Sequence, residues 1–258
     1  LQAPEADLAL LIEAAEAAGE IALRHFRNDP EVWHKPDDAG PVTEADLEVD
    51  AYLRATLTAA RPDYGWLSEE TEDDPARLNA ERVFIVDPID GTRAYIEGQD
   101  SWSHSLAIAE NGRVTAGLVF LPVKGVSYSA VLGQGAFRNG AALTTSGRDH
   151  LAGADILATR PNMEPQHWRV LPQIARHHRP SLAYRFCLVA EGRYDAMLTL
   201  RDAWEWDIAA GSLIAAESGA VVTDRLNQPL QFNMPDPASN GVITANPLLH
   251  QEIYRSLR

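Results

Sequence analysis

The sequence predicts an α/β fold from three observations: helix-period apolar patterning at the start, a β-rich middle, and alternating short strands and helices after it. Leu8, Leu11, Ile12, Ala15, Ala18, Ala22 and Phe26 recur at three- and four-residue steps, so residues ~5 to 27 form an amphipathic helix. A loop rich in Pro, Asp and Gly runs from Lys35 to Pro41. Thr43-Glu44-Ala45-Asp46 opens a second helix whose Val49, Leu53, Leu57 and Ala60 share a face, with Pro62 just past its end. From Val83 to Phe137 the pattern is that of a largely antiparallel sheet, with runs at Ser105 to Ala109, Val114 to Leu121 and Gly125 to Leu132 and a turn at Asn111-Gly112. Asn139-Gly140 reads as a hairpin turn. Beyond it come a strand at Ile156 to Ala158, a helix around Gln166 to His177, a strand at Ala196 to Leu200 and a helix opening at Asp207. Strands at Ala220 to Thr223 and Gly241 to Ala245 and a terminal helix complete the chain. Gly, Thr and Ser accumulate over residues 140–150, which places a soft boundary between 1–145 and 146–258.

A chain of 258 residues, 45% hydrophobic and 23% charged, is long enough to bury a substantial core. Its formal charge of −15 argues against nucleic-acid polymers and anionic membranes as partners, since phosphate backbones are held by surplus Lys and Arg. An anionic small ligand would need compensating positive charge, and bound divalent metal is the simplest source. The single cysteine, Cys187, excludes an intramolecular disulfide and, within Phe186-Cys187-Leu188-Val189-Ala190, reads as a buried small hydrophobe. No run approaches the ~18 apolar residues of a membrane span, and Leu1-Gln2-Ala3-Pro4-Glu5 lacks the basic flank of a secretory signal, so a cytoplasmic location is expected. His177-His178, flanked by Arg176 and Arg179 on the expected helix, reads as a solvated basic face. The six tryptophans read as core or cleft wall, with Trp204, near Asp207, the candidate for substrate contact.

Chemistry concentrates in Val83-Phe84-Ile85-Val86-Asp87-Pro88-Ile89-Asp90-Gly91-Thr92, an apolar run that ends in two carboxylates, a glycine and a hydroxyl. Alone, it is either a turn, with Pro88 unable to donate and Gly91 free in its dihedrals, or half of a hard-cation site. Ser68-Glu69-Glu70-Thr71 is either a solvated acidic loop or a source of further ligands. Thr43 to Asp46 has the form of a capping box, and Asp207 in Trp206-Asp207-Ile208-Ala209-Ala210-Gly211 that of an N-cap, where small residues permit close packing.

In this order and spacing, the segments from Lys35 to Gly211 resemble the magnesium-dependent, lithium-sensitive phosphatases of the inositol monophosphatase superfamily. The resemblance implies an α+β layered sandwich of alternating helix and sheet layers, the fold shared with fructose 1,6-bisphosphatase, with the site in a cleft between two subdomains. Residues 1–145 would carry most metal ligands, and residues 146–258 the Trp-Asp motif and the substrate-selecting residues. It implies Glu69, Asp87, Asp90 and Asp207 as carboxylate ligands, with the carbonyl of Ile89, for two or three Mg²⁺ ions. Asp46 and Thr92 fall at the water-activating pair, Gly91, Thr92 and Asp207 face the substrate, and Lys35 with Pro36-Asp37-Asp38-Ala39-Gly40 matches a mobile lid. A small phosphorylated substrate and a possible homodimer follow from the same likeness.

Substrate selection is read from the second part of the chain. Relatives that act on inositol phosphate place a glutamate about seven residues before the Asp of the Trp-Asp motif, where this chain has Leu200. Trp66 to Thr71, Asp87 to Gly98 and Phe186 to Gly192 resemble the branch that cleaves 3′-phosphoadenosine 5′-phosphate to AMP. That branch's Leu-Gly-Pro-Thr is replaced by Leu200-Arg201-Asp202-Ala203, while Arg185, Arg201 and Arg93 are candidates to pair a second phosphate. The bisphosphate nucleotidase is the expected activity, with inositol monophosphatase or histidinol-phosphate phosphatase as the alternative. Fructose 1,6-bisphosphatase and a regulatory interaction protein on the same scaffold are lesser readings, and the intact set of acids argues against the last.

Overall fold

Helix α1 (Pro4–His25) buries Leu11, Ala14, Ala15, Ala18 and Ala22 along one stripe, and helix α2 (Glu44–Ala60) buries Val49, Leu53 and Leu57. The structure, a computed structural model, describes residues 4–35 and 40–258. Leu1 to Ala3, and the lid reading at Pro36 to Ala39, lie outside the described residues. Between the two helices, β1 (Val32–His34) and β2 (Pro41–Thr43) pair antiparallel.

The β-rich middle forms one sheet whose seven strands follow chain order: β3 (Gly65–Ser68), β4 (Arg82–Asp90), β5 (Ser103–Glu110), β6 (Arg113–Leu121), β7 (Val126–Val131), β8 (Ala136–Arg138) and β9 (Ala141–Ala142). Every neighbouring pair is antiparallel except β3 with β4. The short helix α3 (Thr92–Ile96) follows β4. Asn139 and Gly140, both at positive φ, close the β8–β9 hairpin as expected of a two-residue turn.

The rest of the chain contributes β10 (Asp155–Leu157), β11 (Ala175–His177), α4 (Leu182–Ala190), β12 (Ala196–Thr199), β13 (Ala203–Trp204), α5 (Glu205–Glu217), β14 (Val221–Thr223), β15 (Ala238–Ser239), β16 (Val242–Ala245) and α6 (Pro247–Ser256). A five-stranded sheet runs β11-β10-β12-β16-β14, and β13 pairs separately with β15. The helix expected around Gln166 to His177 is absent. Pro165–His167 is a 3₁₀ turn, Pro172 removes an amide donor inside the expected helix, and Ala175–His177 pairs in parallel with β10. The reading of His177-His178 as one solvated helical face falls with it: the ring of His177 meets Asp155 Oδ1 at 2.6 Å, and His178 lines the large cleft.

Layering follows from which faces are apolar. One cluster packs α1 and α2 on the seven-stranded sheet, a second joins the other face of that sheet to α4, α5 and the five-stranded sheet, and a third lies between that sheet and α6. The order is helix, sheet, helix, sheet, helix. Because α5 lies between two sheets it is apolar on all sides, burying Ile208, Ala209, Ala210, Leu213, Ile214 and Ala215. Its close approach needs the small residues read from the sequence: a Cβ on Gly211 would stand 2.7 Å from Phe186, and one on Gly117 of β6 would stand 3.1 Å from Ala210. Cys187 is buried in the same region, and burial pushes its thiol pKa well up. No helix among the described residues is long and apolar enough to cross a membrane.

A bulge in β4 sets up the site. Asp87 pairs with Ser105 and Asp90 with Ser103, so β4 spends three steps where β5 spends two. The freed carbonyl of Pro88 accepts instead from Nδ1 of His104, which is fully buried, with no partner on Nε2. A carbonyl only accepts, so Nδ1 carries a proton, and a second proton on Nε2 would be buried with no acceptor among the described residues, which keeps the ring neutral. Burial pulls its pKa down to about 4, against only a small opposing contribution from that bond. Below about pH 6.5 the unfolded chain takes a proton that the folded chain refuses, and stability is lost as pH falls toward about 4, by about 3 kcal/mol in total. As pH is lowered from 7 to 4, the urea midpoint of wild type is expected to drop relative to that of His104→Asn, whose amide can still donate to Pro88. Equal slopes would show that His104 is not held neutral.

Candidate active site

Three separate elements bring the carboxylates together at one end of β4. Glu69 follows β3 and its amide bonds Val86 O at 3.2 Å, Asp87 and Asp90 leave β4, and Asp207 lies in the first turn of α5. Trp204 occupies the N-cap position, so Asp207 is not the cap. Carboxylate oxygens of Glu69, Asp87 and Asp207 all lie within 4.8 Å of one another. At that separation two ionised acids repel by about 3.5 kcal/mol at an effective dielectric near 20. Burial first, and then the neighbouring carboxylates, push the pKa of Asp87 and of Asp207 well above the usual range. Asp87 Oδ1 is buried with no hydrogen-bond donor among the described residues. An all-oxygen set of mutually repelling acids with an unsatisfied buried oxygen fits a hard divalent cation.

Asp90 stands apart from this group. Its carboxylate accepts from Ser181 Oγ at 2.6 Å, Leu182 N at 3.1 Å and Ala183 N at 2.6 Å, at the start of α4. Burial raises its pKa to about 6 against those bonds. Lys35 Nζ donates to Glu69 at 2.8 Å and Glu70 at 2.6 Å. Burial opposes that ammonium, but the two glutamates outweigh it and its pKa is pushed up to about 12. Glu70, buried beside Glu69, is raised to about 7.

The second group sits at the start of α2. Thr43 caps the helix and Asp46 completes the capping box, Asp46 Oδ2 accepting from Thr43 N at 2.8 Å and Thr43 Oγ1 at 2.5 Å. Its other oxygen lies 3.2 Å from Thr92 Oγ1, which is also 3.2 Å from the carbonyl of Ile89. Burial raises Asp46 to about 6, partly offset by the bonds from Thr43. Gly91 takes the left-handed conformation, φ 98°, that lets α3 begin at Thr92. Asp50 escaped notice in the sequence: buried one turn after Asp46, it accepts from Ser68 Oγ at 2.5 Å and Thr71 Oγ1 at 2.6 Å, gripping both sides of Glu69-Glu70. The available signal was an acid four residues after Asp46 on a helix whose neighbouring Val49 and Leu53 face the core.

These groups open onto a cleft of about 1250 Å³ whose lining includes Glu69, Gly91, Thr92 and Asp207 together with His178, Arg179, Arg185, Arg193 and Arg201. Arg185 is buried and fixed by the carbonyls of Arg179, at 2.6 Å, and Pro180, at 3.4 Å, with His178 Nε2 at 3.1 Å. Burial lowers its pKa to about 10, while Asp90 and Asp207 act against that shift. Leu200 is buried on the cleft wall and Asp202 is exposed.

The inositol monophosphatase family model matches residues 4–258. The chain belongs to the inositol monophosphatase family. Members of that family are phosphatases, so the chain is a hydrolase of phosphoric monoesters, and the family is generally metal-dependent. A histidinol-phosphatase of Chlorobaculum parvum is 33% identical, covering 84% of this chain and 85% of the relative. An inositol-1-monophosphatase of Rhizobium meliloti is 32% identical over 84% and 85%, and the 3′(2′),5′-bisphosphate nucleotidase CysQ of Escherichia coli is 31% identical over 85% and 91%. Among solved structures, the extragenic suppressor protein suhB of Bartonella henselae superposes with a TM-score of 0.82 at 27% identity, covering 97% of both chains. A Thermotoga maritima IMPase superposes with a TM-score of 0.80 at 27% identity, covering 97% of this chain and 95% of that one. The layered sandwich expected from the sequence is therefore the family's fold.

Burial, and then repulsion, raises the pKa of Asp87 and Asp207, so the stability contributed by these acids in the metal-free protein falls as pH rises, because the folded state holds protons that the unfolded state releases. Mg²⁺ is expected to raise the melting temperature more at about pH 8 than at about pH 5.5, where protons compete for the same oxygens. Asp87→Asn removes a buried charge and should raise the metal-free melting temperature while shrinking the Mg²⁺-induced rise and cutting phosphate release on the order of a hundredfold or more. A full Mg²⁺-induced rise in that variant would take Asp87 out of the metal-binding set.

Proposed function

We propose that this inositol monophosphatase family member is a Mg²⁺-dependent 3′(2′),5′-bisphosphate nucleotidase, hydrolysing 3′-phosphoadenosine 5′-phosphate to AMP and phosphate. The observation that carries the reading is the basic wall of Arg179, Arg185, Arg193 and Arg201 in the same cleft as the acids, within a protein of charge −15. The scissile phosphate would be neutralised at the acid cluster, and a second phosphate needs separate cations, which a simple monophosphate does not. Leu200, where an acid would hold ring hydroxyls, offers an inositol ring no acceptor from its side chain. A second reading, histidinol-phosphate phosphatase, draws on Asp202, a cleft carboxylate able to receive an amine, and on the C. parvum relative.

In this proposal Glu69, Asp87, Asp90, Asp207 and the carbonyl of Ile89 hold two or three cations. When bound, such ions screen the phosphate charge and acidify water. Asp46 is the proton acceptor: the Thr92 hydroxyl passes its proton to Asp46 Oδ1, 3.2 Å away, and takes one from the attacking water. With Thr43 occupying Oδ2, the free oxygen of Asp46 is aimed at Thr92. The amides of Gly91 and Thr92 would meet a phosphate oxygen, Asp207 would border the ester, and Lys35 holds Glu69 and Glu70 beside them. The reading includes a cytoplasmic location, in keeping with the lone buried thiol.

Phosphate release in Mg²⁺ from 3′-phosphoadenosine 5′-phosphate, inositol 1-phosphate, histidinol phosphate and fructose 1,6-bisphosphate tests the substrate, with the first expected to show the highest kcat/KM. A preference for inositol 1-phosphate overturns the nucleotidase, and one for histidinol phosphate selects the second reading. Asp46→Asn should lower kcat about a hundredfold or more while leaving the Mg²⁺ activation constant within a few-fold. An equal loss of Mg²⁺ affinity would make Asp46 a ligand instead.

A further inference from the structure

Trp204 is the anomalous side chain of the cleft. Trp204 is 48% exposed in a cleft whose lining also holds Arg201, Asp202 and Asp207, although Trp is among the residues that gain most from burial. Its backbone is the N-cap of α5, but no side-chain cap hydrogen bond is made, so the helix has no use for the ring. Pairing of Ala203 with Ser239 and Trp204 with Ala238 likewise uses only the backbone. What the ring does contact is Trp206: their centroids are 5.0 Å apart and the planes diverge by 9°. Trp206 in turn packs on the central core, and its carbonyl accepts from Ser105 Oγ at 2.9 Å. The exposed ring is thus held flat against an anchored one, three residues before Asp207 and three after Arg201.

From this geometry we propose that Trp204 is a stacking platform for the planar nitrogen ring of the substrate's leaving group, a purine under the nucleotidase reading on which this inference rests. An indole already stacked on one side loses little freedom when a second ring lies on the other. Arg201 lines the same stretch of wall, where the phosphate borne by that leaving group would find a cation. An inositol or glycerol leaving group has no such face. Trp204 is therefore a specificity-determining residue whose contribution appears in KM for ring-bearing esters.

The test is steady-state kinetics in saturating Mg²⁺ for wild type, Trp204→Ala and Trp204→Phe on 3′-phosphoadenosine 5′-phosphate, histidinol phosphate and 2-glycerophosphate, with melting curves to check folding. For the bisphosphate, Trp204→Ala should raise KM about tenfold or more at nearly constant kcat, and Trp204→Phe should recover most of the loss. For 2-glycerophosphate both constants should stay within about twofold of wild type. Loss on all three esters alike would mean that Trp204 only supports Asp207, and an unchanged KM for the bisphosphate would show that the ring is unused; either overturns the proposal. If wild type leaves the bisphosphate intact, the nucleotidase reading fails, and histidinol phosphate decides the platform alone: a selective KM rise in Trp204→Ala upholds stacking, and none overturns it.

Discussion

Repulsion among converging carboxylates is the constraint around which the site is arranged. Glu69, Asp87 and Asp207 come from three separate elements and converge to within 4.8 Å, and none of them forms an ion pair with an arginine among the described residues. Among the described residues the Lys35 ammonium pairs with Glu69 and Glu70 but with neither aspartate, and Arg201 opposes the raised pKa of Asp207 without a direct ion pair. Apolar layers on both sides of the seven-stranded sheet supply the rigidity that holds such an arrangement, since β4 is buried along nearly its whole length.

The surrounding acids divide by what they accept. Asp46, Asp50 and Asp90 receive two or three hydrogen bonds each from hydroxyls and amides, which fix them as parts of the fold. Asp87 Oδ1 receives none. The division matches the proposed roles only in part, because Asp90, a proposed ligand, is also fastened to α4. In the proposed reaction, recognition falls to Arg185, Leu200, Arg201 and Trp204, which line the same cleft as the acids.

Much of this was legible because it is locally periodic. The apolar stripe of α1, the capping box of α2 and the Asn139-Gly140 turn each write their geometry into a few consecutive residues. The segment from Gln166 to His177 was misread because its composition suggested a helix while Pro172 denied it the backbone donor. In the site, the acids were visible as a spaced motif, whereas Asp50, His104 and the Asp90–Ser181 bond were not. Each of those contacts joins residues well separated in the chain, and hydrogen bonds across tertiary space leave no period in the sequence.

The bond from Ser181 to Asp90 has one further consequence. Asp90 ends a strand of the seven-stranded sheet, and α4 packs between that sheet and the five-stranded one, so three hydrogen bonds fasten a corner of one sheet to the helix that carries the other. A sliding of the two sheets past each other would first have to strip a buried carboxylate of all three donors at once. Asp90 is thus also a latch: it gives the relative placement of the two sheets a discrete seated position rather than a continuous range.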